Sequence, residues 1–246
     1  MALRVKFGKA PAFHDPRTLK FSNYIKAGLP PPPEKYSSLD RIIPVVGTSN
    51  PAKIFPMDGN DRYGDCVIAA VAHMITNFHG LVGRKSIPSE QEVVKTYLDW
   101  TKGEDSGCVM FSVAKAWTKA HFFNDKIDAF VSLHRADPLD VKRAVVWYGG
   151  IFLGFNVQAA AISDFEANRP WTPGPAEGGH GVVIIGYDEK YLHVLTWGGI
   201  ARATWDWWNE MVDEAYVLLP DEAKDPSFAP GFDYALLESD LSALRA

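Results

Sequence analysis

The chain has 246 residues and a mass of 27.2 kDa, enough to bury a full core in one large domain or two small ones. Hydrophobic residues make up 47% and charged residues 22%, which excludes wholesale disorder. A net charge of −5 argues against general nucleic-acid binding, because neutralising phosphates needs a basic face. The only two cysteines, Cys66 and Cys108, exclude a disulfide scaffold and a four-thiolate zinc site. No His-Glu-x-x-His and no Cys-x-x-Cys occurs, so neither a metal nor another cofactor is expected. The N-terminus lacks the apolar core of a signal peptide, and no stretch approaches the ~20 apolar residues of a membrane span. The expectation is cytoplasmic synthesis without export, and a virion protein would read the same way.

In chain order, residues 1–56 read as an extended arm. It carries scattered aromatics (Phe7, Phe13, Phe21, Tyr24) and the run Pro30-Pro31-Pro32-Pro33, which forces polyproline geometry. Such an arm either straps onto the core or docks a protein partner. The loop Asp58-Gly59-Asn60-Asp61-Arg62-Tyr63-Gly64-Asp65 then feeds a helix over 66–78. That helix is apolar nearly all round, so it is central and buried. Ser89 followed by Glu92 is a capping box, and Val93, Val94, Tyr97 and Leu98 give the next helix one apolar face. A third helix is predicted over 109–121, and a fourth over 137–148 with Pro138 at its first position.

Alternation at Ile127, Ala129, Val131 and Leu133, and short apolar runs at 151–157, 182–187, 192–197 and 215–219, predict strands. Helices followed by strands indicate an α+β fold. Residues 220–246 form an acidic tail with Pro220, Pro226 and Pro230, ending in a short helix. The expected organisation is an arm (1–56), one α+β domain (57–219) and a tail (220–246).

The chemistry points to Cys66. At the first turn of a buried helix, unpaired N–H groups and the helix dipole favour an anion, which lowers a thiol pKa. His180 is the best candidate base, since it follows Gly178-Gly179 and opens an apolar strand. His73 lies seven residues beyond Cys66, roughly 10 Å of helical rise away, too far to share a proton. It reads as a satisfied core histidine. His193 alternates with Leu195 without a partner in the sequence, and His14, His79, His121 and His134 fall in loops or helix ends. Asp58, Asp61 and Asp65 crowd the cysteine loop and would oppose thiolate formation. Trp197, Trp205, Trp207 and Trp208 read as core or lid residues.

The segment Asn60-Asp61-Arg62-Tyr63-Gly64-Asp65-Cys66-Val67-Ile68-Ala69-Ala70 resembles the nucleophile segment of papain-like cysteine peptidases. His180-Gly181-Val182-Val183-Ile184-Ile185-Gly186-Tyr187 resembles that family's histidine strand. Thr196 falls where the family has an orienting asparagine, with Trp197-Gly198 beside it, and 205–219 resembles the closing tryptophan and final strand. Asp105-Ser106-Gly107-Cys108 looks like the cleft wall. The likeness spans about 58–219 and extends to uncharacterised bacterial and phage proteins of this fold.

The resemblance implies a helical half, with a central Cys-bearing helix, packed on an antiparallel sheet or barrel half. It implies Cys66 as nucleophile and His180 as its ion-paired acid–base partner. It places the Cys66 N–H and the Asn60 amide in the oxyanion hole, Thr196 as orienter of His180, and Trp197 as its shield. Gly64, Gly107 and Gly179 would border the substrate with Trp197. Three positions depart from the family: Asn60 is one methylene short of glutamine, Thr196 replaces asparagine, and Val109-Met110-Phe111 replace paired glycines. Bulk at that wall is expected to obstruct an extended peptide and to favour a small amide, isopeptide or peptidoglycan-stem substrate. Cys108 lacks its disulfide partner, since Tyr63 stands three residues before Cys66, and reads as a free thiol. The implied activity is a cysteine hydrolase, a peptidase or amidase acting through a thioester acyl-enzyme. Its alternatives are a structural or binding protein on the same fold, such as a virion component, and a transglutaminase-like acyl transferase.

Overall fold

A computed structural model describes residues 3–221 and 227–245. The helical half holds α1 (Leu39–Val46), α2 (Pro51–Ile54), α3 (Cys66–Leu81), α4 (Glu90–Trp100) and α5 (Met110–Trp117). All of α3 except His79 is buried, as its apolar girth predicts. The α4 capping box is formed: Ser89 Oγ accepts from the Glu92 N–H, and Glu92 Oε2 accepts from the Ser89 N–H at 2.8 Å. Ser89→Ala is expected to lower stability by about 1 kcal/mol, read as a shift in the urea unfolding midpoint without change of slope.

The second half is an antiparallel sheet of β1 (Tyr36–Ser37), β2 (Ile127–Ser132), β3 (Ile151–Gln158), β4 (Ala176–Tyr187), β5 (Tyr191–Thr196), β6 (Gly199–Thr204) and β7 (Val212–Pro220). The order is β2-β7-β3-β4-β5-β6, with β1 also pairing β4. The sheet is open, not a closed barrel: β2 and β6 stay at opposite edges. Its faces are covered by helices instead of by its own curvature. Alternate residues of each strand divide between two cores. Phe152, Val183, Ile185, Leu195 and Leu218 pack toward α3, while Leu153, Phe155, Ile184, Val194 and Val217 pack on the other face. The latter face is covered by α6 (Pro138–Tyr148) and α8 (Trp205–Met211). Pro138 holds the first position of α6, as predicted, and the Asp137 side chain caps the helix.

The remaining helices are α7 (Ala161–Glu166) and α9 (Tyr234–Arg245). Pro226 of the tail lies outside the described residues. The N-terminal segment is not extended throughout. It forms a 3-10 turn at Phe21–Tyr24, the short β1, α1 and α2. Local apolar spacing explains α1, which buries Ile42 and Val46 one turn apart. Among the described residues no helix is long and apolar enough to cross a membrane.

Candidate active site

Cys66 is the first residue of α3 and is fully buried. Its Sγ accepts the backbone N–H of Gly181 at 3.3 Å and a second N–H from Gly8. His180, the residue before Gly181, sits on β4 opposite Phe155 and is also buried. Its Nε2 lies 2.9 Å from Thr196 Oγ1, while its Nδ1 is buried without a hydrogen-bond partner. Thr196 ends β5 and pairs with Gly199, so Trp197-Gly198 form the two-residue turn to β6. Both have positive φ, 47° and 70°, the geometry of a type I′ hairpin. That conformation costs a tryptophan about 1–2 kcal/mol relative to glycine. It sets the indole on the imidazole, with ring centroids 5.2 Å apart and planes 25° from parallel.

The electrostatics of this arrangement are governed by burial. The helix start and the two N–H donors favour a thiolate, yet desolvation pushes the Cys66 thiol up to about 11. Desolvation likewise takes His180 down to about 3. Thiol and imidazole are therefore both neutral at pH 7, in place of the ion pair expected from the helix dipole. Asp65 adds to this. It stands at the helix start without capping it, and its Oδ1 accepts from Asn60 Nδ2 at 2.8 Å. Burial, reinforced by nearby Asp58, raises Asp65 to about 8. Among the described residues no group of three or more His, Cys, Asp or Glu is placed to hold a metal ion.

The cause of the burial is the N-terminal segment. Lys6 to Ala10 run between the two halves, directly over the cysteine. The Lys6 N–H donates to Asn60 O at 2.7 Å, Cys108 N–H to Gly8 O at 2.8 Å, and Ala10 N–H to Cys108 O at 2.9 Å. On the sheet side the Lys9 N–H donates to Gly179 O at 3.1 Å, and Phe7 lies 6.1 Å from the His180 ring. Glycines on both walls make the room. A Cβ on Gly107 would fall 2.2 Å from Gly8 O, and one on Gly179 2.4 Å from Lys9 O. A Cβ on Gly8 itself would fall 1.7 Å from Gly64 O. An extended chain thus fits the wall at Gly107-Cys108. Val109-Met110-Phe111 do not obstruct it, because Met110 and Phe111 turn away into the start of α5 and are buried.

The sequence matches no family model and no curated protein. Solved structures do match. Xylellain, a cysteine protease from Xylella fastidiosa, aligns with a TM-score of 0.64 at 17% identity, over 89% of this chain and 98% of that one. The fold is that of the papain-like cysteine proteases. ProCathepsin B S9 from Trypanosoma congolense aligns at 0.57 with 13% identity, over 88% of this chain and 84% of that one. Procathepsin L 3 of Tenebrio molitor aligns at 0.57 with 12% identity, over 88% and 75%.

Within this papain-like fold, Cys66, His180, Thr196, Trp197, Gly64, Gly107 and Gly179 gather around one cleft. Asn60 is beside it with its amide tied to Asp65, which leaves at most one of its two N–H donors for another acceptor. Cys108 is a buried free thiol on the wall. His73 is engaged by other partners: its Nε2 lies 3.1 Å from Pro56 O and 2.9 Å from Asp58 Oδ2. His193 has a partner the sequence did not suggest, Asp188, at 3.1 Å. Sequence reasoning missed Gly8, Lys9, Asp213 and Glu214. The available signal was the acidic pair at the head of an otherwise apolar strand, where a buried carboxylate demands a partner.

Proposed function

We propose that this chain is a latent cysteine hydrolase that cleaves peptide amide bonds once its N-terminal strap leaves the cleft. One observation supports it above all others: a helix-start cysteine and a threonine-tethered, tryptophan-covered histidine lie beneath an extended chain segment held by both walls. In the open cleft Cys66 gives its proton to His180 Nδ1 and attacks the carbonyl carbon as a thiolate. His180 then protonates the departing amine, leaving a thioester. Water attacks the thioester with His180 as base, which releases the acid and restores the thiol. The Cys66 N–H and the remaining Asn60 N–H stabilise the oxyanion, each donor contributing ~3 kcal/mol in the transition state. In the closed chain the sulphur meets the Gly8 N–H, and the Gly8 carbonyl accepts from the Cys108 N–H.

The experiment is turnover of fluorogenic peptide amides by the chain with its strap displaced, with mass-spectrometric trapping of the acyl-enzyme on Cys66. An acyl adduct elsewhere, or no turnover by any opened form, defeats the reading. Repeating the assay with an added primary amine separates transfer from hydrolysis. Thr196→Val should lower kcat by about 10- to 100-fold with little change in KM. It strips the acceptor from a buried ring N–H, and such a group left unpaired costs about 1–3 kcal/mol. An unchanged kcat would remove Thr196 from its positioning role.

A further inference from the structure

Lys9 is the most deeply enclosed cation of the strap, and its surroundings form a built slot. Its side chain is 1% exposed, and so is that of Glu214. Lys9 Nζ lies 2.8 Å from Asp213 Oδ2 and 3.2 Å from Glu214 Oε1, and it also donates to Ala10 O at 3.2 Å. The Tyr216 hydroxyl donates to the far oxygen of Glu214 at 3.1 Å, fixing the carboxylate. The stem crosses Gly154, where a Cβ would fall 2.1 Å from Lys9 Cε. Only glycine there leaves the channel open to a long, unbranched side chain. The slot adjoins the nucleophile, since Lys9 follows the residue whose N–H meets the Cys66 sulphur.

From this geometry we propose that the slot ending at Asp213 and Glu214 is a specificity pocket for a lysine or arginine side chain of the substrate, with Lys9 as its resident occupant in the closed chain. The proposal deepens the hydrolase reading and rests on it for its meaning, though not for its test. When the strap leaves, two carboxylates, one of them at the bottom of the slot, lose their cation. Removing one partner of a buried pair is far costlier than never having had it. The vacated slot is therefore selective for a chain that brings a positive charge back on a flexible stem. An uncharged, unbranched stem such as methionine, one atom shorter, occupies the channel and leaves the acids unpaired.

The test uses the full chain carrying Gly8→Val and Lys9→Ala, so that the strap is displaced and the slot is empty. Coumarin peptide amides bearing Lys, Met or Glu at each position around the scissile bond are compared by kcat/KM. The same peptides, labelled, are titrated by fluorescence anisotropy against this chain with Cys66→Ala added. At one position Lys should exceed Met by at least tenfold in both assays, Glu should be worst, and Glu214→Gln should shrink the Lys advantage to under threefold. Circular dichroism checks that the Gln variant is folded, with Asp213→Asn as the second variant. The Lys-to-Met ratio needs neither. Turnover without basic preference, or equal binding of the Lys and Met peptides, overturns the pocket. Selective Lys binding with no turnover by the Cys66-bearing chain upholds the pocket and overturns the hydrolase reading.

Discussion

Gly8→Val is expected to raise the rate of Cys66 alkylation by iodoacetamide at pH 7 by at least 100-fold over the wild-type chain. Even a Cβ at this position would fall 1.7 Å from the Gly64 carbonyl oxygen, a backbone atom that cannot swing aside, so the strap must lift. The chemical gain follows from solvation. A thiol held at about 11 exposes roughly one thiolate in 10,000 at pH 7. An ordinary cysteine near 8.5 exposes about 3%, some 300 times more. Lowering the thiol pKa therefore increases labelling at neutral pH, and regained access adds to it. In the wild type, labelling should climb with pH toward 11, as the buried thiol finally ionises. Adducts are mapped by mass spectrometry over time, with Cys108 as an internal comparison. Equal rates in the two chains would mean that the strap does not guard the sulphur.

Cys66→Ala in the Gly8→Val background is expected to cut peptide hydrolysis by a factor on the order of 10,000 or more. His180→Ala should cost nearly as much, and the double variant scarcely more than either single one. Groups that act as one unit are grossly non-additive: without the thiolate, its base has nothing to activate. Alanine is a strong helix former and fits the first turn of α3, so the fold should survive. Hydrolysis that persists in Cys66→Ala would assign the chemistry to another residue. Losses that multiply in the double variant would show the two side chains working apart.

What could be read from the chain alone was what local periodicity and end chemistry encode. The girth of α3, the Ser89–Glu92 box and the Asp137-Pro138 start each depend on residues within a turn of one another, and each was legible. So were the places of Cys66 at a helix start and of His180 on a glycine-flanked strand, because both are local settings. The strap was not. Its seat is defined by partners far along the chain; Lys9 and Asp213 are 204 positions apart. No period in residues 6–10 announces that. The helix α8 was hidden differently. Trp205, Trp207 and Trp208 suit a strand as well as a helix, and the decision rests on Thr204, whose hydroxyl accepts the Trp207 N–H and starts the helix. The open sheet was equally beyond local reading, since closure depends on whether two distant edges meet.

The closed strap has a consequence for the sulphur's durability. Cys66 and Cys108 are 0% and 2% exposed, and neither carries appreciable negative charge in that state. Peroxides attack thiolates that they can reach, carrying them to sulfenic and then to irreversible sulfinic acid. While that segment covers them, both sulphurs are expected to resist peroxide, and Gly8→Val should hasten their oxidation.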